Sequence, residues 1–340
     1  MPEQAPPSLS VVIPVYNDRD WLARVIRDVR EAIDVSPFTD SEIIVVDDGS
    51  DLETQRVLSS LAAQDDVRVI RQENAGRFAA RRTGLMGATG ELALLIDARV
   101  SIAPHALAFV ADRLPPDGPF PVWNAHVVID VEGNPYARFW NVLTELTFRD
   151  YFANPRTTSF GLEEFDRFPK GTTCFLAPRQ TLLSAISAFE TRFADVRDAN
   201  DDAILIRSIA ARHRVNISPE FSCLYRSRDA LAPFLRHAYH RGGVLVDGYG
   251  RPGTRFFGLI VAFLPASATG VLALVARPRQ TAVAAILAVA AVGAATRVAA
   301  RRSWREAAAV MLLGPAWLAA YGAGIWRGVA LAITAHQSKR

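Results

Sequence analysis

Two stretches near the start of the chain decide its fold: Ser10-Val-Val-Ile-Pro-Val-Tyr-Asn17 and Glu42-Ile-Ile-Val-Val-Asp-Asp-Gly-Ser50. Each is a short β-branched run that ends abruptly in polar and turn residues. This pattern is typical of a buried parallel strand that carries ligand-binding groups at its carboxyl end. Between them, residues 20–33 place apolar side chains at helical spacing. The chain therefore opens with a strand, a helix and a strand, and in such sheets ligands bind beyond the strand ends.

The α/β pattern continues to about residue 225. Further strands are predicted at residues 67–72, 92–96, 122–131, 170–177 and 215–219, with an extension over 221–225. Helices are predicted at residues 104–114, 139–152, 180–189 and 201–212. We expect a first domain over residues 1–250.

The last part of the chain differs in composition. Residues 256–276 contain no charge, which is close to the ~20 apolar residues that cross a bilayer. Residues 281–296 and 307–326 are two further candidate spans, and the basic connector 297–305 fits the positive-inside tendency. We expect a membrane region over residues 251–340 with about three spans. A buried hairpin of soluble helices is the weaker alternative, because the first span has no polar face.

Net charge, cysteine spacing and the first residues bear on the partners and the cellular compartment of this chain. The net charge of +3 over 340 residues gives no argument for a nucleic-acid partner. Cys174 and Cys223 match no metal-ligand spacing and are expected to be buried thiols in a reducing compartment. Residues 1–8 lack the basic and apolar regions of a secretory signal. We therefore expect a cytoplasmic catalytic domain on a multi-pass membrane protein.

Four motifs together resemble the family 2 inverting glycosyltransferases with a GT-A nucleotide-sugar domain, over about residues 9–250. They are Asp47-Asp-Gly-Ser50, Asn74-Ala-Gly-Arg-Phe-Ala-Ala-Arg-Arg-Thr-Gly84, Asp97-Ala-Arg99 and Asn200-Asp-Asp-Ala-Ile-Leu-Ile-Arg207. The resemblance implies a Rossmann-like mixed sheet followed by an α-helical membrane region. A dehydrogenase is disfavoured, because Gly-x-Gly-x-x-Gly does not follow the first strand.

The resemblance implies a nucleotide site at the first strand ends. It assigns the base and ribose to Pro14, Tyr16, Asn17, Asp47 and Asp48, with Asp48 at the base. It also places Arg81 near the nucleotide. Alone, Asp-Asp-Gly-Ser equally forms a turn and caps the next helix, but the strands around it favour binding.

The third motif departs from the family pattern. The family ends this strand in Asp-x-Asp, whose carboxylates hold a divalent cation against the diphosphate, whereas this chain has Asp97 and Arg99. Asp97 still holds Mg²⁺ or Mn²⁺ in one interpretation. In another, Arg99 itself neutralises the leaving diphosphate, since guanidinium binds phosphate in bidentate fashion. Loss of activity is the third and least favoured outcome.

The fourth motif implies the catalytic base. The register with the family places Asp201 at the base position, with Asp202 as runner-up and Asp198 more distant. An acidic cluster before an apolar helix is also a common helix start, which is compatible with catalysis. The resemblance further implies an acceptor-lining role for Gly171 and Thr172.

A basic segment precedes the first candidate span. Arg236, His240 and Arg241 either close over the diphosphate, as the resemblance implies, or contact anionic lipid headgroups. The resemblance implies transfer of a sugar, with inversion, from a nucleoside-diphosphate sugar onto a lipid-linked or cell-envelope glycan. Transfer to polyprenyl phosphate and a catalytically silent nucleotide-sugar-binding subunit are the two alternatives.

Overall fold

A computed structural model describes residues 6–115 and 119–337. The chain divides into two compact units, each built from three segments of sequence. The first unit comprises Met1–Val128, Asp150–Glu190 and Asp201–Arg226. The second comprises Ile129–Arg149, Thr191–Asn200 and Ser227–Arg340. The predicted division at residue 250 is thus not the border between these units, and it stays a prediction about function.

The first unit is built on a mixed β-sheet. Its strands in the described residues are β1 (Leu9–Val15), β2 (Ser41–Asp48), β3 (Val67–Gln72), β4 (Leu92–Ile96), β5 (Val100–Ile102), β6 (Val122–Ile129), β7 (Thr158–Phe160), β8 (Cys174–Pro178) and β9 (Val215–Tyr225). The order along the sheet is β3-β2-β1-β4-β8-β6-β9-β5, and β7 pairs with β9. Strand β4 is parallel to β1 but antiparallel to β8, so the strand direction reverses between β4 and β8. Asp97 follows directly after β4.

Helices pack on both faces of this sheet. They are α1 (Arg19–Asp34), α2 (Leu52–Ala62), α3 (Arg77–Gly87), α4 (Ala106–Ala111), α6 (Arg149–Phe152), α7 (Arg179–Ser187) and α8 (Asp201–Ala210). The strands are apolar on both sides, so alternate residues serve two cores. Val11 and Ile13 face the core that contains α1, whereas Val12 faces the core that contains α8. Cys174 and Cys223 are free thiols in the first of these cores.

The second unit is helical. It contains α5 (Pro135–Thr147), α9 (Leu231–Tyr249), α10 (Phe257–Ala276), α11 (Pro278–Val298) and α12 (Trp304–Gln337). The rings of Phe139, Phe234 and Trp317 join α5, α9 and α12, with centroids 5.4 to 5.5 Å apart. In the described residues, α10, α11 and α12 are the three helices long and apolar enough to cross a membrane. The composition of the three candidate spans is therefore as predicted.

Candidate active site

Arg81 is the centre of the site in the first unit. It lies on the second turn of α3, and only 4% of its side chain is exposed. Its Nη2 donates to Asp97 Oδ1 at 2.7 Å, and its Nη1 donates to Asp201 Oδ2 at 2.9 Å and to Asp202 Oδ1 at 3.2 Å. A buried guanidinium is stable only when it is paired in this way. One cation therefore brings together three carboxylates from β4 and α8 that the sequence predicted separately.

Arg77 lies one helical turn before Arg81 on the same face of α3. Its Nη2 and Nε donate to the two oxygens of Asp201, at 2.8 and 3.2 Å. Asp201 raises the pKa of the Arg77 guanidinium well above its ordinary value. The Arg77 side chain is 46% exposed, so incoming ligands can reach it. No role was assigned to Arg77 from the sequence, although its four-residue spacing from Arg81 was a usable signal.

Asp97 stands where β4 ends. Burial raises the pKa of its carboxyl, although the Arg81 and Arg77 guanidinium groups act in the opposite direction. Its backbone N–H donates to the Thr173 carbonyl at 3.0 Å, which fixes the turn after the strand.

The acidic residues offer a divalent cation fewer protein ligands than the Asp-x-Asp motif that the resemblance implies. Asp97 Oδ1 is already paired with Arg81, and Arg99 stands where the family has its second carboxylate. The Arg99 Nε pairs with Asp18 Oδ1 at 2.5 Å, just after β1. Among the described residues, no three His, Cys, Asp or Glu side chains are grouped so as to hold a metal ion. Mg²⁺ takes hard oxygen ligands, usually one or two carboxylates together with waters and substrate phosphates, and the Arg99 guanidinium offers none.

Asp202 is anchored differently from Asp201. The hydroxyl of Thr172 donates to Asp202 Oδ1, and Thr172 itself is buried. The backbone N–H of Gly171 donates to Asn124 Oδ1 at 3.0 Å. The predicted acceptor segment thus lies directly beside the two candidate bases, and its acceptor role stays a prediction.

The end of β1 has an unusual backbone. Asn17 adopts a left-handed conformation with φ of 55°, which is uncommon for a residue other than glycine. Its N–H donates to Ser50 Oγ at 3.1 Å, and its Oδ1 accepts from the Asp51 N–H at 2.8 Å. These bonds tie the ends of β1 and β2 together. Tyr16, beside it, is 53% exposed, and Pro14 lies within β1.

Asp47 and Asp48 are buried at the end of β2 and bind backbone groups. Asp48 accepts from the N–H groups of Ala75 and Gly76, both at 2.9 Å, which shapes the loop before α3. Asp47 accepts from the Ser50 N–H at 2.9 Å. These contacts are those expected if Asp-Asp-Gly-Ser forms a turn. Binding of a nucleotide base by Asp48 stays a prediction.

The remaining candidates belong to the second unit. Arg236, His240 and Arg241 lie on α9, with both arginines exposed and His240 half-buried. Asp198 Oδ2 pairs with Arg327 Nη2 at 2.7 Å. A diphosphate-binding role for the three α9 residues stays a prediction.

The chain is similar to known glycosyltransferases. Residues 10–175 match the family model described as glycosyl transferase family 2. An uncharacterized glycosyltransferase of Nostoc sp. is 34% identical over 106 residues, which are 31% of this chain and 32% of the relative. An undecaprenyl-phosphate 4-deoxy-4-formamido-L-arabinose transferase of Enterobacter sp. is 35% identical over 102 residues, 29% of this chain and 31% of the relative. The chain thus spans about a third of the length of these relatives.

A solved structure extends the likeness in fold. A mannosyltransferase from Pyrobaculum calidifontis, in complex with GDP-Man and Mn²⁺, superposes with a TM-score of 0.50 at 19% identity. The match covers 97% of this chain and 86% of that chain. The predicted fold class is therefore confirmed. Residues 10–175 match glycosyltransferase family 2, and the chain has a GT-A fold followed by helices apolar enough to span a membrane.

Proposed function

We propose that this chain is an inverting glycosyltransferase with a cytoplasmic active site at a membrane. It moves a sugar from a nucleoside-diphosphate sugar onto a lipid-linked or cell-envelope glycan. The observation that carries the proposal is the cluster in which Arg81 joins Asp97, Asp201 and Asp202 beside the loop held by Asp48. The cluster supplies both a carboxylate base and cationic groups for a diphosphate, which this reaction needs.

Arg77 connects donor binding to release of the base. In the ligand-free chain both Asp201 oxygens accept from guanidinium groups, so neither oxygen is open to an acceptor hydroxyl. A diphosphate competes for the half-exposed Arg77 and leaves an Asp201 oxygen for the acceptor. The acceptor hydroxyl then loses its proton to Asp201, its oxygen bonds to the anomeric carbon, and the bond to the diphosphate oxygen breaks. Asp202 is the second candidate base.

Leaving-group charge is neutralised by guanidinium groups in this proposal. Arg99, Arg77 and Arg81 supply positive charge where the family uses a cation, and the Asp97 carboxylate is engaged by Arg81. Arg99 is partly exposed and reaches a diphosphate by exchanging Asp18 for phosphate oxygens. We therefore expect transfer without added divalent metal.

The test is donor hydrolysis and transfer by the full chain in detergent over a panel of nucleotide sugars, with Mn²⁺, Mg²⁺ or chelator. Turnover that survives chelator supports the guanidinium route, whereas turnover abolished by chelator assigns a metal to Asp97 and contradicts it. Arg99→Ala is expected to lower kcat, and Arg82→Ala, an exposed neighbour of Arg81, is the matched control. No turnover despite nucleotide binding would favour the silent-subunit alternative.

Polyprenyl phosphate is the second candidate acceptor, because several relatives are named undecaprenyl-phosphate sugar transferases. A phosphate acceptor is already an anion and needs less help from a base. Asp201→Asn then lowers transfer only mildly, whereas a hydroxyl acceptor makes the loss severe. The same variant assayed with both acceptor types distinguishes the two functions.

A further inference from the structure

The segment Thr191–Asn200 ends directly before the candidate base Asp201. It belongs to the second unit, whereas Asp201 opens α8 in the first unit, so the peptide bond between Asn200 and Asp201 carries the chain from one unit to the other. Neighbouring Cα atoms are about 3.8 Å apart across a trans peptide bond. Contacts that fix the backbone of Asn200 therefore also limit where the Asp201 carboxylate can lie.

Asp247 of α9 binds both ends of this segment. Its Oδ1 accepts from the Thr191 hydroxyl at 2.9 Å and from the Arg192 N–H at 2.7 Å. Its Oδ2 accepts from the Asn200 N–H at 2.7 Å. Only 4% of Asp247 is exposed, and a buried carboxylate is stable when its oxygens accept hydrogen bonds in this way. One carboxylate thus joins the two ends of the loop that leads to Asp201.

Asn200 is held through its side chain as well as through its backbone. Its Nδ2 donates to the Val244 carbonyl on α9 at 2.9 Å. A Cβ added at Gly248, one turn after Val244, would overlap this Nδ2 and lie 3.0 Å from the Asn200 Cγ. The amide therefore reaches the backbone of α9 only because Gly248 has no side chain.

A second contact to the same segment is weaker. Asp198 pairs with Arg327 of α12 at 2.7 Å, but the two side chains are 20% and 33% exposed, so water screens their attraction. The hydrogen bonds to Asp247 are shielded from water, and the loss of a buried acceptor leaves N–H donors without a partner. Asp247 is therefore the stronger of the two restraints on Asn200.

We propose that Asp247 is a positioning residue for Asp201. By binding both ends of Thr191–Asn200 it fixes Asn200, and through the following peptide bond it fixes the start of α8 and the place of the Asp201 carboxylate. This inference rests on the proposed function, in which Asp201 takes the proton of the acceptor. A misplacement of about 1 Å at a reacting group costs roughly 10²-fold in rate, so a residue remote from the reacting atoms has a large effect on turnover.

Asp247→Asn is the direct test. The amide keeps one accepting oxygen, but its NH₂ group faces an N–H donor, so only one end of the segment stays bound. We expect kcat to fall by about 10- to 100-fold. The affinity for nucleoside diphosphates should stay unchanged, because the nucleotide motifs lie elsewhere in the sequence. A general loss of structure would lower both quantities, so this split between kcat and affinity identifies a positioning role.

Gly248→Ala and Gly243→Ala form a matched pair on α9 that leaves Asp247 intact. Alanine favours the helix at both positions. A Cβ at Gly243 meets its nearest atoms at 3.7 and 3.8 Å, which is ordinary contact, whereas a Cβ at Gly248 displaces the Asn200 amide. We expect Gly248→Ala to lower kcat by about tenfold or more, and Gly243→Ala to leave kcat unchanged. Equal kcat values for the two variants would contradict the proposal.

Hydrogen–deuterium exchange over Thr191–Asn200, measured on the full chain in detergent, gives a readout that needs no turnover. We expect faster exchange there in Asp247→Asn and Gly248→Ala than in the wild type and Gly243→Ala. Exchange as slow as in the wild type, or faster exchange with unchanged kcat, overturns the proposal. If the wild type transfers no sugar from any donor, the proposed function fails, whereas faster exchange in the two variants still supports the fixing of Asn200 by Asp247.

Discussion

Arg81 shows how one residue organises the three carboxylates of the candidate site. Its planar fork donates to Asp97, Asp201 and Asp202 at once, which the single ammonium point of lysine does not reproduce. We therefore predict that Arg81→Lys lowers kcat by about 10²-fold, the order seen when one preorganised donor is lost. Steady-state transfer assays check this, with Arg82→Lys as the exposed control. Equal activity of the two variants would contradict the role assigned to Arg81.

Asp97 provides a pH signature. Because burial raises its pKa in the folded state, that state binds more protons than the unfolded chain above the ordinary value of about 3.9. Its contribution to stability therefore falls as pH rises from that value to the raised one. We predict that the melting temperature of the wild type falls relative to that of Asp97→Asn as the pH increases through this window. Thermal unfolding in detergent measures both melting temperatures.

Asp51 supplies the opposite control for this pH experiment. The Thr54 N–H donates to it at the start of α2 and lowers its pKa. The stability that ionised Asp51 contributes is fully present above the ordinary carboxyl pKa. It is lost as the pH falls through the lowered pKa of the folded state. Relative to Asp51→Asn, the wild type should therefore gain melting temperature as pH rises. The same trend in both pairs would contradict the assignment of Asp97.

Single residues were predictable where a motif fixed them, and less so where partners came from distant elements. The acidic and basic residues of the site lie in the motifs that the sequence marked, including Arg81, Asp97 and Asp201. The Arg99 pairing with Asp18 and the contact of Thr172 with Asp202 join segments far apart in sequence. No local pattern encodes such pairs, because they depend on how the strand ends converge.

Helix α3 illustrates packing at the scale of an element. A Cβ added at Gly84 would overlap Val12 Cγ1 and lie 3.1 Å from Val46 Cγ2, so α3 approaches β1 and β2 through this glycine. We predict that Gly84→Ala destabilises the fold by about 1–3 kcal/mol through overpacking. Thermal unfolding measures it. Gly314→Ala is the control, because its added Cβ meets nothing within 4 Å.

Two of the apolar strands were predicted closely, since β3 and β4 have the expected bounds. Two short strands, β5 and β7, were not predicted, because three residues carry too little periodicity. The predicted helix over residues 139–152 is instead two helices that break at Phe148, and α5 starts earlier at Pro135 with Asn134 as its cap. The capping residue Asn134 and the following Pro135 were the sequence signals for this earlier start.

At the scale of the whole molecule, one ion pair joins α12 to the segment before Asp201. Arg327→Met leaves Asp198 without this partner and loosens Thr191–Asn200. We predict a several-fold lower kcat with unchanged nucleotide affinity, since the nucleotide motifs lie elsewhere. Transfer rates and nucleotide titration measure the two quantities. Arg305→Met, an exposed charge at the start of α12, should leave both unchanged, and equal effects would contradict the prediction.

At the same scale, composition predicted the apolar tail but not its grouping with α5 and α9. Both helices look like parts of the catalytic region in sequence, yet they pack in the unit that contains α10 to α12. Their partners are Phe139, Phe234 and Trp317, which lie up to about half the chain apart. A hydropathy window averages consecutive residues, so it cannot predict packing between residues that are far apart in sequence.

This interleaving sets an order for biosynthesis. The catalytic unit is complete in sequence at Arg226, before any apolar span has been translated. The aromatic face of α5 around Phe139 must wait for Trp317. At roughly 5–20 residues per second, translation from the end of α5 to the end of α12 takes about 10–40 s. During that interval the nascent chain exposes the apolar face of α5. We expect a chaperone to bind this face, and we expect premature termination to leave it exposed and cause aggregation.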